Sequence, residues 1–287
     1  MKKILVTGAN GQLGQSLQDI SDNYPEFDFR FTDVHELDLL DVDAVKSYVA
    51  DFKPSVIVNC AAYTAVDAAE KDDENALILN AGVPVLLGKT AVENGIKIIH
   101  ISTDYVFDGS GNIPYRETDI ASPVTVYGRT KLEGEDRLSE VLPDALILRT
   151  SWLYSPYGKN FLKTMLHLGS QKEQLNVVHD QIGSPTWAGD LAAGIMHVLL
   201  QWKNGCDWKG GLYHFSNQGV CSWYDFAWQI MQENSLDCDV RPVTSDQFPT
   251  EAKRPAYSVM SKAKFENAFD YKIPHWQEGL LACLFEM

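Results

Sequence analysis

The sequence predicts an α/β fold, a Rossmann-like doubly wound parallel sheet with a smaller C-terminal substrate-binding lobe, on three observations. Through the first half of the chain, short apolar runs rich in β-branched residues alternate with longer amphipathic stretches. Near-continuous apolar strands are buried on both faces, as in a parallel sheet covered by helices. The first run ends in a glycine-rich turn that opens a helix, and the repeating strand-helix order supplies the crossovers that parallel pairing needs.

Taken in order, strands are expected at residues 4–7, 27–32, 55–59, 96–101 and 145–149, with helices at 12–20, 42–52, 75–94 and 124–138. After residue 150 the rhythm changes to a strand at 175–178, a helix at 187–202, a strand at 212–215 and a helix at 223–234. Residues 1–150 are therefore expected to form a dinucleotide-binding domain. Residues 151–287 are expected to be mainly a substrate-binding lobe, interleaved with late strands of the main sheet. No internal repeat, low-complexity tract or Gly/Pro/Ser-rich linker separates independent units.

The 287 residues include 24 Lys+Arg against 39 Asp+Glu, a formal charge of -15. A polyanionic partner requires a basic footprint, so neither nucleic acid nor an anionic membrane is expected as the main partner. No run of about 18–20 uninterrupted apolar residues suggests a membrane span. Met1-Lys2-Lys3 leads straight into a strand and a turn rather than a signal peptide. Five cysteines, Cys60, Cys206, Cys221, Cys238 and Cys283, include no C-x-x-C pair and lack closely spaced histidines. Reduced thiols, no metal and a cytoplasmic location are the resulting expectations.

The turn reads Gly8-Ala9-Asn10-Gly11-Gln12-Leu13-Gly14. Glycines there allow positive φ, close backbone approach to a pyrophosphate and tight helix-strand packing, while free N–H groups at the helix start bind the anion. Gly8, Asn10, Gly11, Gln12, Leu13 and Gly14 are thus candidate cofactor contacts. Asp33, at the end of the second strand, is placed to accept from the adenosine ribose. Nearby Arg30 and His35 could accommodate a 2′-phosphate, which leaves both NADH and NADPH open.

Tyr127-Gly128-Arg129-Thr130-Lys131 sets a phenol and an ammonium four positions apart on one helical face. A cation beside a phenol favours the phenolate, which would make Tyr127 a better acid toward an alkoxide. A hydroxyl should complete the set at the end of the fourth strand. Ser102 and Thr103 both qualify, but alternation sends them to opposite faces. Thr103 is the choice, with Ser102 as the fallback.

These residues resemble the extended branch of the short-chain dehydrogenase/reductase family, and within it the dTDP-4-dehydrorhamnose reductases. The resemblance spans nearly the whole chain: the glycine turn, Asn59 to Asp67, Ser102 to Gly109, Glu117 to Asp119, Tyr127 to Lys131, Arg149 to Trp152, Asn160-Phe161, Asp180 to Thr186 and Arg254-Pro255. It implies reduction of the C4 ketone of dTDP-4-dehydro-L-rhamnose by NADPH or NADH. Tyr127 would be the proton donor, Lys131 would hold the nicotinamide ribose and tune Tyr127, and Thr103 would hydrogen-bond the sugar oxygen. Cofactor positions matched by the resemblance include Asp38, Leu39, Ala61, Ala62, Tyr63, Thr64 and Asn80. Substrate positions are Thr103, Asp104, Tyr105, Trp152, Asn160 and Arg254. Some members are metal-bridged dimers; here the first helix has no carboxylate before Asp19, so a monomer or a metal-free homodimer is expected.

Two other functions share part of this pattern. A nucleotide-sugar epimerase or dehydratase has the turn and the Tyr-Lys pair, but a dehydratase commonly carries Asp-Glu after the Thr, where this chain has Asp104-Tyr105. A regulatory subunit of a methionine adenosyltransferase is the non-catalytic alternative, which intact Thr103, Tyr127 and Lys131 disfavour. The acidity is uneven. Residues 1–150 hold 13 basic and 25 acidic side chains, whereas 151–287 hold 11 and 14. Within the latter, Arg241, Lys253, Arg254, Lys262 and Lys264 form a basic segment in which Lys253 or Arg254 could meet a sugar-nucleotide diphosphate.

Overall fold

In the computed structural model, which describes residues 1–287, six parallel strands form the central sheet. They are β1 (Lys2–Thr7), β2 (Phe27–Thr32), β3 (Val56–Asn59), β4 (Lys97–Thr103), β5 (Leu146–Thr150) and, from the second half, β7 (Gly211–His214). Their spatial order is β7-β5-β4-β3-β1-β2, so the winding reverses at β1. A crevice outside the carboxyl ends is expected at such a reversal.

Alternation along each strand sorts the core into two layers. Ile4, Val6, Val56, Val58, Leu146 and Leu148 face one side, with Leu13 and Leu17 of α1 (Gln12–Ser21) and Leu191 and Ile195 of α6 (Ala188–Lys203). Leu5, Ile57, Ile98 and Ile147 face the other, against Val45 and Val49 of α2 (Val42–Phe52), Leu87 and Ala91 of the helix α3 (Asp73–Asn94), and Leu138 of α4 (Val126–Val141). The period-2 pattern of the strands meets the i, i+4 pattern of the helices in both layers.

Helix α3 starts two residues before the expected position and is interrupted by one wide π turn at Ile78–Gly82. By length and composition it could cross a membrane, yet half of its apolar window is buried within the fold, as in a core helix.

A third core joins α5 (Phe161–Gly169), α7 (Trp223–Glu233) and α9 (Trp276–Phe285) to a separate two-stranded parallel sheet. That sheet pairs β6 (Gln174–Val178) with β8 (Asp239–Val243). Of the late strands, only β7 enters the main sheet. The strand expected at 175–178 pairs with β8, a segment whose Pro242 had obscured its strand character. Helix α8 (Ala263–Phe269) returns to the main core through Phe265 and Phe269.

Candidate active site

The glycine turn leaves β1 with Gly8 at φ 67°. A Cβ on Gly8 would lie 2.6 Å from the Ala61 nitrogen, and one on Gly14 would lie 2.5 Å from the Gly8 carbonyl oxygen. At Gly11 the only close atom would be that same oxygen, at 3.2 Å. The turn is therefore closed against β3 and α1 and open beside Gly11. Gly11 is the N-cap of α1, and no side chain caps the helix, so its first N–H groups face outward to an anion. Asp33 accepts from the Asn10 N–H at 2.9 Å and the Val34 N–H at 2.8 Å, which fixes its carboxylate on the rim of this turn. These features fit a dinucleotide: a pyrophosphate against the α1 start and a ribose beside Asp33.

Among the other expected cofactor contacts, Ala62 and Tyr63 are half-buried and Thr64 is exposed after β3, whereas Asp38 is exposed and Leu39 buried after β2. Asn80 is placed differently. It is fully buried in the π turn of α3, where its Oδ1 accepts from Tyr63 N–H at 2.8 Å and its Nδ2 donates to Tyr63 O at 3.1 Å and Thr130 Oγ1 at 3.0 Å. Asn80 clamps the Tyr63 segment to α4, and its amide has no donor left for a ligand. Gln12 likewise turns inward: its Oε1 accepts from Asn160 Nδ2 at 2.9 Å and Ser155 Oγ at 3.2 Å.

The elements that carry the expected catalytic residues converge at the carboxyl edge, two strands from β1. Strand β4 runs two residues further than expected and carries Ser102 and Thr103 on opposite faces. The Ser102 hydroxyl donates to Glu135, which forms a buried ion pair with Arg149 at 2.6 Å. Thr103 instead lies beside the Tyr127 phenol and donates to Asp104 Oδ1 at 3.1 Å. Its own Oγ1 accepts from Tyr105 N–H at 3.2 Å. Thr103 is thus the hydroxyl on the Tyr127 side, and Ser102 is structural.

Tyr127 sits in the first turn of α4, whose N-cap Thr125 accepts from Gly128 N–H at 3.0 Å. Gly128 packs so closely on the Asp104–Val106 turn that a Cβ would fall 2.1 Å from Tyr105 O. The Tyr105 and Tyr127 rings meet edge to face, with centroids 5.5 Å apart. Tyr127 is half-buried. Burial pushes this phenol up to about 12, the Thr103 hydroxyl pulls it down, and the Asp104 charge raises it further.

The expected lowering of Tyr127 by Lys131 is not what this state shows. Lys131 is buried, and its Nζ donates to Ile101 O at 2.6 Å, on the strand, rather than to the phenol. Burial brings Lys131 down to about 8, opposed by Glu135 and Cys60. Asp104, also buried, is pushed up to about 6 by desolvation. Its Oδ2 has no hydrogen-bond partner, and the Ser258 hydroxyl lies near it, outside good hydrogen-bond geometry.

The expected substrate residues divide. Trp152, at the left-handed φ of 48°, stacks on Trp223 at 3.5 Å between ring centroids and remains half-exposed. Asn160 caps α5 through Lys163 N–H at 3.0 Å, and its amide donates to Gln12, Ser155 O and Tyr157 O. Its amide N–H groups are thus engaged by structure, although the residue is half-exposed. Arg254 donates to Asp67 Oδ2 at 2.6 Å, while its Nη1 is buried without a partner.

The basic segment is not one patch, for Arg241 pairs with Asp239, Lys264 reaches Leu212 O and Lys262 is buried beside Ser184. An open groove of about 790 Å³ between α5, β6 and Phe248 contains none of Thr103, Tyr127 and Lys131.

Sequence reasoning missed Asn59, His100 and Glu135. The signal for His100 was a lone imidazole in the apolar run Ile98-Ile99-His100-Ile101, on a strand buried on both faces.

The family described as RmlD substrate binding domain matches residues 1–287. A dTDP-4-dehydrorhamnose reductase of Aggregatibacter actinomycetemcomitans is 41% identical, over 98% of this chain and 97% of its own. Among solved structures, a Clostridium acetobutylicum dTDP-4-dehydrorhamnose reductase is 42% identical, with a TM-score of 0.92 over 99% of this chain and 100% of its own. That of Bacillus anthracis, in complex with NADP, is 38% identical, with a TM-score of 0.94 over 100% of both chains. With the uncapped glycine turn and the Thr103, Tyr127 and Lys131 constellation in place, the chain belongs to the RmlD family of dTDP-4-dehydrorhamnose reductases.

Proposed function

We infer that the protein reduces the C4 ketone of dTDP-4-dehydro-L-rhamnose to dTDP-L-rhamnose, consuming NADPH or NADH, and that it acts in the cytoplasm as a monomer or homodimer. The observation that carries the reading is the meeting of Thr103, Tyr127 and Lys131 at the carboxyl edge beside an uncapped helix start. A bound reduced nicotinamide supplies the hydride to C4. The C=O π electron pair collects on oxygen, which takes the Tyr127 proton, so a C4–H and an O–H bond replace the π bond, and the Tyr127 phenolate regains its proton from solvent.

A phenol held near 12 is fully protonated at neutral pH, as a donor must be, and an alkoxide is basic enough to take its proton. Thr103 orients the sugar oxygen toward that phenol. Asp104, Tyr105 and the half-exposed Trp152 line the sugar side. Residues 1–150 supply the dinucleotide site, and the third core beyond residue 150 supplies most of the substrate lobe. Arg254, whose Nη1 is unpaired, meets the diphosphate by exchanging the Asp67 carboxylate for it.

Incubating the purified protein with the keto sugar and each cofactor in turn should give one cofactor oxidised per product formed. Tight cofactor binding with no consumption would overturn the reading in favour of a non-catalytic binding role.

A further inference from the structure

A line of buried polar groups runs from β1 to the catalytic lysine. Thr7 Oγ1 donates to Asn59 Oδ1 at 2.7 Å, and Asn59 Nδ2 meets His100 Nδ1 at 3.0 Å. His100 Nε2 then faces Lys131 Nζ at 3.5 Å. Thr7, Asn59, His100 and Lys131 are each at most 1% exposed, so the protons on this line are set by their neighbours rather than by water.

One member of the line has a fixed polarity. The Ala61 backbone N–H, which can only donate, points at Asn59 Oδ1 at 3.3 Å. The reversed amide would set an NH2 group against that N–H, so Asn59 must present its oxygen there and its NH2 to His100. The Asn59 NH2 donates into Nδ1, which must therefore carry the lone pair. Burial and the neighbouring Lys131 charge both keep the imidazole neutral. Its single ring proton is consequently on Nε2, aimed at Lys131.

We propose that His100, fixed as its Nε2–H tautomer by Asn59, is a positioning residue that presents a donor to Lys131 and so favours the neutral amine of that side chain. Two donors do not attract, and the 3.5 Å spacing is at the limit of a hydrogen bond, whereas Lys131 holds the Ile101 carbonyl at 2.6 Å.

The groups facing Lys131 are His100 on β4, Cys60 after β3 and Glu135 one turn along α4, itself neutralised by Arg149. Only Glu135 is an anion, and its charge is shared with Arg149. The consequence is a Lys131 charge held down to about 8, so whatever charge Lys131 offers to the bound substrate and cofactor varies with pH in the working range. This rests on the reductase reading only for its bearing on catalysis; the proton placement stands on its own.

The test reads protons in the ligand-free protein, so its failure is separable from failure of the reductase reading. Long-range ¹H–¹⁵N NMR should show His100 neutral and protonated at Nε2 from about pH 5 to 9; an Nδ1–H tautomer or an imidazolium would overturn the proposal. Titration of Lys131 followed at its ¹³Cε should then be repeated in His100→Gln, whose amide oxygen can accept from the ammonium. The Lys131 midpoint should rise by ~1 pH unit, and the alkaline limb of kcat should move with it. An unshifted midpoint in folded His100→Gln would show that His100 only fills space.

Discussion

Ser102 of β4 and Glu135 of α4 are hydrogen-bonded to each other, within the ion pair that Glu135 makes with Arg149, a pair only 4–5% exposed at its side chains. This contact gives two adjacent hydroxyls different roles, one holding α4 on the sheet and the other facing the phenol. The two substitutions should therefore separate stability from chemistry. Ser102→Ala should lower unfolding stability by about 1–3 kcal/mol through loss of a hydrogen bond to a charged group, although Arg149 Nε still donates to the same Glu135 oxygen at 2.9 Å. Thr103→Ala should keep the melting temperature within a few degrees and lower kcat. Restored turnover in Thr103→Ser, measured beside thermal unfolding, completes the comparison.

Glu135→Gln leaves the Arg149 guanidinium buried without a counter-charge, and its Nη1 already lacks a partner. A loss of about 3–5 kcal/mol is expected in denaturant unfolding. Comparable stability of variant and parent would mean that water reaches Arg149.

Tyr127→Phe removes only the phenolic oxygen. Turnover should fall by about 10²–10⁴-fold, the range of positioned acid catalysis, with cofactor affinity measured by fluorescence unchanged. An active variant would move the donor role to another group.

At the turn, Gly14→Ala forces a methyl to within 2.5 Å of the Gly8 carbonyl and 2.6 Å of the Ala9 Cα. Both are backbone, so the helix must shift, at a cost of about 1–3 kcal/mol and with loss of dinucleotide binding. Gly11→Ala should cost less stability, because only the Gly8 oxygen at 3.2 Å is in its way. Calorimetry of cofactor binding to both variants would check the ordering.

The folded state raises Asp104 from 3.8 to about 6, so it binds that proton more tightly than the unfolded chain does. Its stabilising contribution is complete below about pH 4 and is lost as pH rises through 6, by about 1–3 kcal/mol in all. Asp104→Asn should remove that decline, leaving the similar slope of Asp190, which burial also pushes up to about 6. Denaturant midpoints at pH 4, 5, 6 and 7 give the comparison.

Strands β1 to β5 and their crossing helices were legible because each has a period matched to a buried face, and the errors were one to three residues at the ends. The placement of Thr103 beside Tyr127 was legible because each stands at a fixed offset from an element's end, whereas the turn of Lys131 toward Ile101 O was not. The side-chain partners of Asn80, Asn160 and Gln12 were not legible for a common reason: a polar side chain near a ligand site and one that satisfies buried backbone look alike until the long-range partner is known. The partners of Asn80 are 17 and 50 positions away and the partner shared by Asn160 and Gln12 lies 148 apart. Strand β8 stayed hidden because only a paired edge makes Asp239-Val240-Arg241-Pro242-Val243 a strand.

The π turn at Ile78–Gly82 acts as a phase correction. One residue beyond the regular helical count rotates everything after it by about 100°. That rotation lets the stretch before it lie along α4 while Val83, Leu87 and Ala91 still face the sheet, with Asn80 at the joint. Deleting a single residue there would leave a perfectly regular helix and a functional failure: either the apolar stripe or the asparagine would be out of phase. This part of the chain is thus intolerant of length change, although substitutions on its exposed side should pass unnoticed.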